Sequence, residues 1–404
     1  MSSSASVAVP ELRLPVRLAL LDELGIPSRS GRDPMLSWPW AAELAGIAPR
    51  WHEIEGVAVF ARCLESGIVR GGGEIRLPFD PDEALLNLRR EAYVREGVRA
   101  AARRAYYRLR PLLPRAVQLA ARRSFTRVQA RASFPAWPVE TAADDLTRLV
   151  VRLAEEAVGV PLPTAPTWPQ GRRWALVLTH DVETAAGLTA IEPLRRLEER
   201  YGYRSSWNLV PERYRTPDEL AGELRAAGHE LGVHGLRHDG RDLASRRLLE
   251  RRLPGIRAAA ERWGAVGFRA PATQRRWELM PLLGFDYDSS YPDTDPYEPQ
   301  AGGCCTTVPF FNGDLVELPI TVPQDHTVFE ILGHDDESLW VEKIKYLRSR
   351  GRMALMLTHP DYLPAGGPAF RAYERVLARY AGDATAWKAL PRDVAAWWRR
   401  RSGR

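Results

Sequence analysis

His234 and His238 stand four residues apart, a spacing that puts two imidazoles on one helical face where they can share a metal ion. The pair also arises by chance, and Asp181, in the run WALVLTHDVE, could equally be a turn former or helix cap. Together they supply two neutral imidazoles and a carboxylate with coordination positions left open. That set suits zinc or another first-row divalent ion carrying out hydrolysis. Three cysteines, two of them the adjacent Cys304 and Cys305, have no zinc-site spacing and cannot form a disulfide framework, so a metal must be held by His and carboxylate.

These residues need elements to position them. Short apolar runs, each followed by a helix-like segment, mark strands of a parallel sheet at 174–179, 206–210, 230–234, 266–270, 285–289, 315–320 and 353–359. Seven such strands predict a barrel of α/β class, in which the active site gathers at the C-terminal strand ends. Those ends are polar: His180, Asp181 and Glu183 after the first strand, His234 and His238 after the third, Arg269 after the fourth, Thr358 and His359 after the last. Groups scattered over 180 residues of sequence thus converge on one rim. Thr216, Pro217 and Glu219 predict a capping box with proline at the first helical position.

With 404 residues the chain calls for two domains. Prolines 161, 163, 166 and 169 mark an extended linker over 160–171, between a mainly helical domain at 1–159 and the barrel at 172–404. Residues 141–157 read as an amphipathic helix capped by Thr141, with Leu146, Leu149, Val150 and Leu153 at helical spacing. No apolar stretch approaches a membrane span, and Pro10, Glu11, Arg13, Pro15 and Arg17 break up any signal-like segment, so cytoplasmic residence is expected. The net charge of +6 is concentrated in arginines between Arg89 and Arg131, which read as helices broken near Pro111 and Pro114. That segment could touch an anionic membrane, against the simpler reading of a solvated face; no recognised module there implies nucleic acid.

The ordered motifs THDVE (179–183), GVHGLRH (232–238), FRAP (268–271), GFDYDSS (284–290) and LTHPD (357–361) resemble the NodB-homology polysaccharide deacetylases, carbohydrate esterase family 4, over roughly residues 170–400. The resemblance implies a distorted seven-stranded (β/α) barrel. It also implies Asp181 as general base, Arg269 as the partner orienting it, His359 as general acid, and His234 and His238 as metal ligands. The commonest family pattern has two consecutive aspartates after the first strand; here Val182 intervenes, and Glu183 is assigned to the metal. The implied cofactor is a divalent metal, zinc first, with cobalt, nickel, manganese or iron as alternatives. The implied reaction is removal of N-acetyl groups from amino sugars in making or modifying an exopolysaccharide or cell-surface glycan. Two rival readings stand beside it: hydrolysis of small cyclic amides, and a turnover-free carbohydrate binder, to which Val182 and Ala272 point.

Other residues are weighed against structural roles. In an extended strand His180 should point away from Asp181, which favours packing. Asp325 and His326 share the rim and are candidates, with Pro271, for contact with substrate or for tuning His359; the alternative is a turn with a helix cap. One of Asp286, Asp288, Asp293 and Asp295 is a candidate support for His359. His229 reads as structural, and His52 and His334 have no identifiable partner.

Overall fold

The computed structural model describes residues 81–94, 134–158 and 167–404, with short pieces elsewhere that include 36–37, 69–71 and 74–76. The chain divides into two compact units, Met1–Tyr93 with Thr141–Pro166, and Val94–Glu140 with Thr167–Arg404.

In the first unit, β1 (Leu36–Ser37), β2 (Val69–Gly71) and β3 (Glu74–Arg76) form a three-stranded sheet in the order β1-β3-β2. Among the described residues two helices accompany it, α1 (Pro81–Arg89) and α2 (Ala142–Val158). The latter buries Leu146, Leu149, Val150 and Leu153, the stripe its periodicity predicts. Most of the arginine-rich stretch, including the breaks expected near Pro111 and Pro114, lies outside the described residues.

The second unit is built on a nine-stranded sheet in the order β11-β4-β5-β6-β7-β8-β10-β9, with β12 also paired to β4. Its strands are β4 (Trp174–Val182), β5 (Ser206–Leu209), β6 (Glu230–Val233), β7 (Gly267–Phe268), β8 (Tyr287–Asp288), β9 (Phe310–Asn312), β10 (Leu315–Glu317), β11 (Met353–Thr358) and β12 (Ala386–Ala389). All seven expected strands are present. Two more, β9 and β12, were not foreseen: β9 runs antiparallel to β10, and β12 pairs with Trp174–Val177, leaving Thr179–Val182 to β5. After β10 the chain makes single bridges, Pro292 to Ile320 and Val322 to Met356, so the curled sheet meets β11 again. The result is a distorted (β/α) barrel.

Helices α3 (Ala185–Arg200), α4 (Asp218–Ala226), α5 (Arg246–Trp263), α6 (Ser338–Ser349), α7 (Pro368–Ala381) and α8 (Pro391–Arg401) complete the unit. Thr184 caps α3 by accepting from Gly187 N, and α5 is closed by Gly264 at φ 63°. The capping box expected at Thr216 is not formed. Pro217 is the N-cap of α4, without a side-chain cap bond, and the buried Thr216 hydroxyl has no partner. Asp218 and Glu219 still meet the positive end of the helix dipole.

Side chains alternate across β4 with period two. Trp174, Leu176, Leu178 and Val182 enter the larger core cluster, which is shared with residues of the surrounding helices, while Ala175 and Val177 join a second cluster with Leu355, Leu357, Val394 and Trp398. β11 follows the same rule, with Ala354 and Met356 on one side, Met353, Leu355 and Leu357 on the other.

Residues 134–140, read from sequence as part of the N-terminal domain, group with the barrel, because its side chains grip them. Lys343, fully buried, donates to Pro138 O at 2.6 Å and to Asp293 at 2.5 Å, Thr294 Oγ1 donates to Ala136 O at 2.9 Å, and Trp137 meets Tyr297 edge-on. Among the described residues no helix is long and apolar enough to cross a membrane.

Candidate active site

The parity of β4 decides which of its terminal residues can do chemistry. Thr179 and Asp181 fall on the side of Ala175 and Val177; His180 falls on the other. Asp181 is 2 % exposed, and its Oδ1 accepts from Asn208 Nδ2 at 2.8 Å and from Arg269 Nη1 at 3.1 Å. Arg269 is itself fixed, donating from Nε to Ser289 O at 2.6 Å, from Nη2 to Ser289 Oγ at 2.8 Å and from Nη1 to Thr179 Oγ1 at 2.9 Å. Burial pushes the Asp181 carboxyl up, but the charges of His234, Arg269 and His359 and the Asn208 amide outweigh it and hold it below the usual carboxylate range.

Asn208 was not singled out from sequence, because its use depends on register. It lies opposite Gly232 on β6, where a Cβ would stand 2.0 Å from Asn208 Oδ1. Only glycine leaves room for the amide that holds Asp181.

His234 follows β6 and is 1 % exposed. Its Nδ1 lies 3.1 Å from Arg269 O, so it must carry the proton, leaving a lone pair on Nε2. That Nε2 is buried and has no hydrogen-bond partner; Asp181 Oδ2 is 3.6 Å away. Burial, only partly offset by Asp181 and Glu183, draws the imidazole down to about 4, so it is neutral. Donor atoms of Glu183, His234 and His238 all lie within 4.8 Å of one another. Glu183 Oε1 is 2.9 Å from His238 Nε2, and the Glu183 carboxyl is held far below its ordinary range: burial opposes ionisation, but the His238 hydrogen bond and the charges of His238, His359 and His234 prevail.

These residues fit a divalent cation. A neutral, buried imidazole nitrogen with no partner, facing an ionised carboxylate and a second imidazole, is a donor set left open. His238 Nδ1 meets the Arg213 guanidinium, a donor, so the proton of that ring sits on Nε2 toward Glu183; for Nε2 to take a cation, that proton would have to pass to Nδ1 and the Arg213 guanidinium turn aside. His238 has φ 55°, a conformation costly for a residue with a Cβ, and the loop is braced by Leu236 N donating to Asp242 at 3.2 Å. Asp361, given no role from sequence, accepts from Glu183 N at 3.2 Å and from the Thr184 hydroxyl, which steadies the backbone of the Glu183 turn.

His359 completes the rim. Its backbone N donates to Asp325 Oδ2 at 2.6 Å and its Nδ1 lies 2.7 Å from Asp325 Oδ1, while Nε2 is 3.8 Å from Glu183 Oε1. Burial alone would depress this imidazole; Asp325, with Glu183 and Asp181, raises it to about 10.

Asp325 is fully buried, and its oxygens are taken by His359 and by His326 N at 2.8 Å, the arrangement of the alternative in which it tunes His359 and not of the one in which it contacts substrate. None of the four aspartates considered as a support for His359 fills that place. Asp286 is exposed, Asp288 binds Ser290, Asp293 binds Lys343, and Asp295 Oδ1 accepts from Tyr297 N. Pro271 is buried, and a Cβ on Gly235 would stand 2.7 Å from its ring, so it packs on the histidine-bearing loop. His326 meets Tyr362 at a tilt of 43° with ring centroids 5.0 Å apart, and Tyr362 in turn meets the His359 ring edge-on at 5.4 Å.

His180 is buried behind the site. It stacks on Trp207 at 4.1 Å, with Nε2 2.6 Å from Glu198 and Nδ1 2.8 Å from the Thr358 hydroxyl. His229 is equally enclosed, between Ser205, Trp207 and Glu199. His334 is exposed, and His52 lies outside the described residues.

No family profile matches the chain, and no curated protein matches it. Among solved structures it is similar to a Mycobacterium smegmatis protein assigned as a polysaccharide deacetylase, at 22% identity and TM-score 0.49, covering 59% of this chain and 95% of that one. It is also similar to a Pseudomonas aeruginosa protein with the same assignment, at 19% identity and TM-score 0.48, over 59% and 95% of the two chains. A family 4 carbohydrate esterase from Streptomyces lividans, in complex with acetate, aligns at 15% identity and TM-score 0.36, over 53% and 91%.

Proposed function

We propose that the chain is a divalent-metal-dependent amidohydrolase that removes N-acetyl groups from amino sugars of a polysaccharide or lipid-linked saccharide. Glu183, His234 and His238 would hold the ion, zinc first among first-row candidates. When bound, the cation would polarise the acetamide carbonyl and lower the pKa of a water from 15.7 to about 7.

The chain's own groups carry the protons. Asp181, kept ionised and oriented by Arg269 and Asn208, accepts the proton of the attacking water. His359, kept charged by Asp325, delivers a proton to the departing nitrogen as the C–N bond breaks, giving acetate and a free amine. The single observation that carries this reading is the partnerless His234 Nε2, 3.6 Å from Asp181 Oδ2 and grouped with donor atoms of Glu183 and His238 that all lie within 4.8 Å of one another.

Metal analysis of the purified protein, with acetate release from acetylated chito-oligomers and ring opening of cyclic ureides, tests it. We expect one divalent ion per chain and acetate from the oligomers; ureide turnover without acetate would move the assignment to small cyclic amides. His234→Ala should lose the ion and the activity together, and a variant that kept full metal content would sink the ligand assignment.

A further inference from the structure

Beside the loop that carries His234 and His238 lies a groove of about 410 Å³, within the range of small-molecule sites. Its lining holds four arginines, Arg237, Arg241, Arg251 and Arg252, against one acid, Glu212. Two of the four are neutralised: Arg237 Nε pairs with Glu212 at 2.6 Å, and Arg252 forks onto Asp239 and Asp242 at 2.6 Å each. Arg241 and Arg251 are exposed, and neither makes a side-chain hydrogen bond or ion pair among the described residues. Two guanidinium groups outside any ion pair therefore face one concavity, although Arg241 also helps hold the Asp239 carboxyl below its usual range.

The groove is part of the site's own framework. Leu236 and Arg237 sit between the two histidines, and Arg241 follows His238 by three residues. Glu212 N donates to Leu236 O at 2.9 Å. On the opposite wall, α5 carries Gly255, where a Cβ would come within 3.0 Å of Leu236 and 3.6 Å of Glu212, so the absence of a side chain keeps the space open.

We infer that this groove is a subsite for a phosphoryl group carried by the saccharide whose acetamido group lies between Asp181 and His359. The inference rests on the deacetylase reading for the substrate, and on the arginines alone for the anion. The choice of a phosphoryl group rests on geometry: Arg241 and Arg251 each keep a planar fork of donors outside any ion pair, and such forks suit the oxygens of a phosphate.

The test uses full-length, metal-loaded protein and the double variant Arg241→Ala/Arg251→Ala, both changes being on exposed side chains. Binding of inorganic phosphate is measured by calorimetry, and acetate release is measured from N-acetylglucosamine 1-phosphate and from neutral chitotetraose. The expected result is phosphate binding weakened about tenfold or more in the variant. The specificity constant for the sugar phosphate should drop in parallel while that for chitotetraose is unchanged. Phosphate binding that ignores the substitutions, as binding to the cation would, overturns the subsite. Phosphate binding that responds while both substrates behave alike overturns the assignment to substrate and leaves a site for a free anion. If neither saccharide releases acetate, the deacetylase reading fails, and phosphate binding still reports on the groove.

Discussion

Two histidine–carboxylate pairs lie on opposite sides of the same two strands, and they differ in one respect. On the outer side, His180 has both nitrogens occupied, by Glu198 and Thr358, and Glu198 also accepts from Tyr373 at 2.6 Å and Ser205 at 2.5 Å. On the inner side, His359 shares Asp325 through Nδ1 but keeps Nε2 without a hydrogen bond, and His234 likewise has one nitrogen committed and one open. Burial and a carboxylate neighbour are common to both sides. What marks the inner side is capacity left unsatisfied, which folding normally eliminates because an unpaired buried polar atom costs about 1–3 kcal/mol. Beside ionised groups on a shared rim, such an atom is one that a ligand can claim.

Substitutions on the two sides should therefore fail in different ways. The largest effect is expected from Asp181→Asn, which removes the proton acceptor but no proposed ligand: acetate release should fall by roughly 10³-fold or more. Metal content, measured by elemental analysis, should stay near wild type; retained turnover would show that Asp181 is not the base.

Asp325→Asn comes next, at about 10²-fold, and it should also change the pH profile. The His359 imidazole is needed charged, so wild-type activity should hold on the alkaline side well above the ordinary imidazole value, and below about 10 because a cation on Glu183 takes away part of the support. Without the Asp325 charge, that limb should move down toward an ordinary imidazole. The same raised value has a stability sign: the contribution of His359 is fully present below its unfolded value of 6.5 and is lost as pH rises through about 10. An unchanged alkaline limb in the variant would separate His359 from proton delivery.

The smallest catalytic effect is expected on the outer side. His180→Leu leaves the buried Glu198 without its imidazole and should lower unfolding stability by about 3 kcal/mol or more, read from denaturant curves. Turnover per folded molecule should stay within a few-fold of wild type. A loss comparable to that of Asp181→Asn would erase the distinction between the two sides.

The sequence made visible the parts of this arrangement that depend on strand position and alternation. Apolar runs located seven strands, and the rule that strand ends form the site brought Asp181, Glu183, His234, His238, Arg269 and His359 to one rim. The opposite orientation of His180 followed from the two-residue repeat alone. Asn208 was hidden because its role depends on which residue of β6 lies across from it, and an isolated Asn-Gly register leaves no periodic trace. Asp325 was placed on the rim, but its choice between substrate and His359 was left open, since the bridge of Val322 to Met356 that brings its loop beside β11 leaves no local pattern. Short strands such as β12, four residues with half-buried Trp387 and Lys388, have no pattern to distinguish them from a helix connection. The grip of Lys343 and Thr294 on residues 136–138 joins positions some 158 or more apart in the chain, beyond what local composition can report.

Arg269 reaches Asp181 with its guanidinium and His234 with its own carbonyl oxygen. The proposed proton acceptor and one proposed ligand of the ion are thus tied to a single residue, as two instruments are to one optical bench. A displacement of the β7 end would pull on both contacts at once.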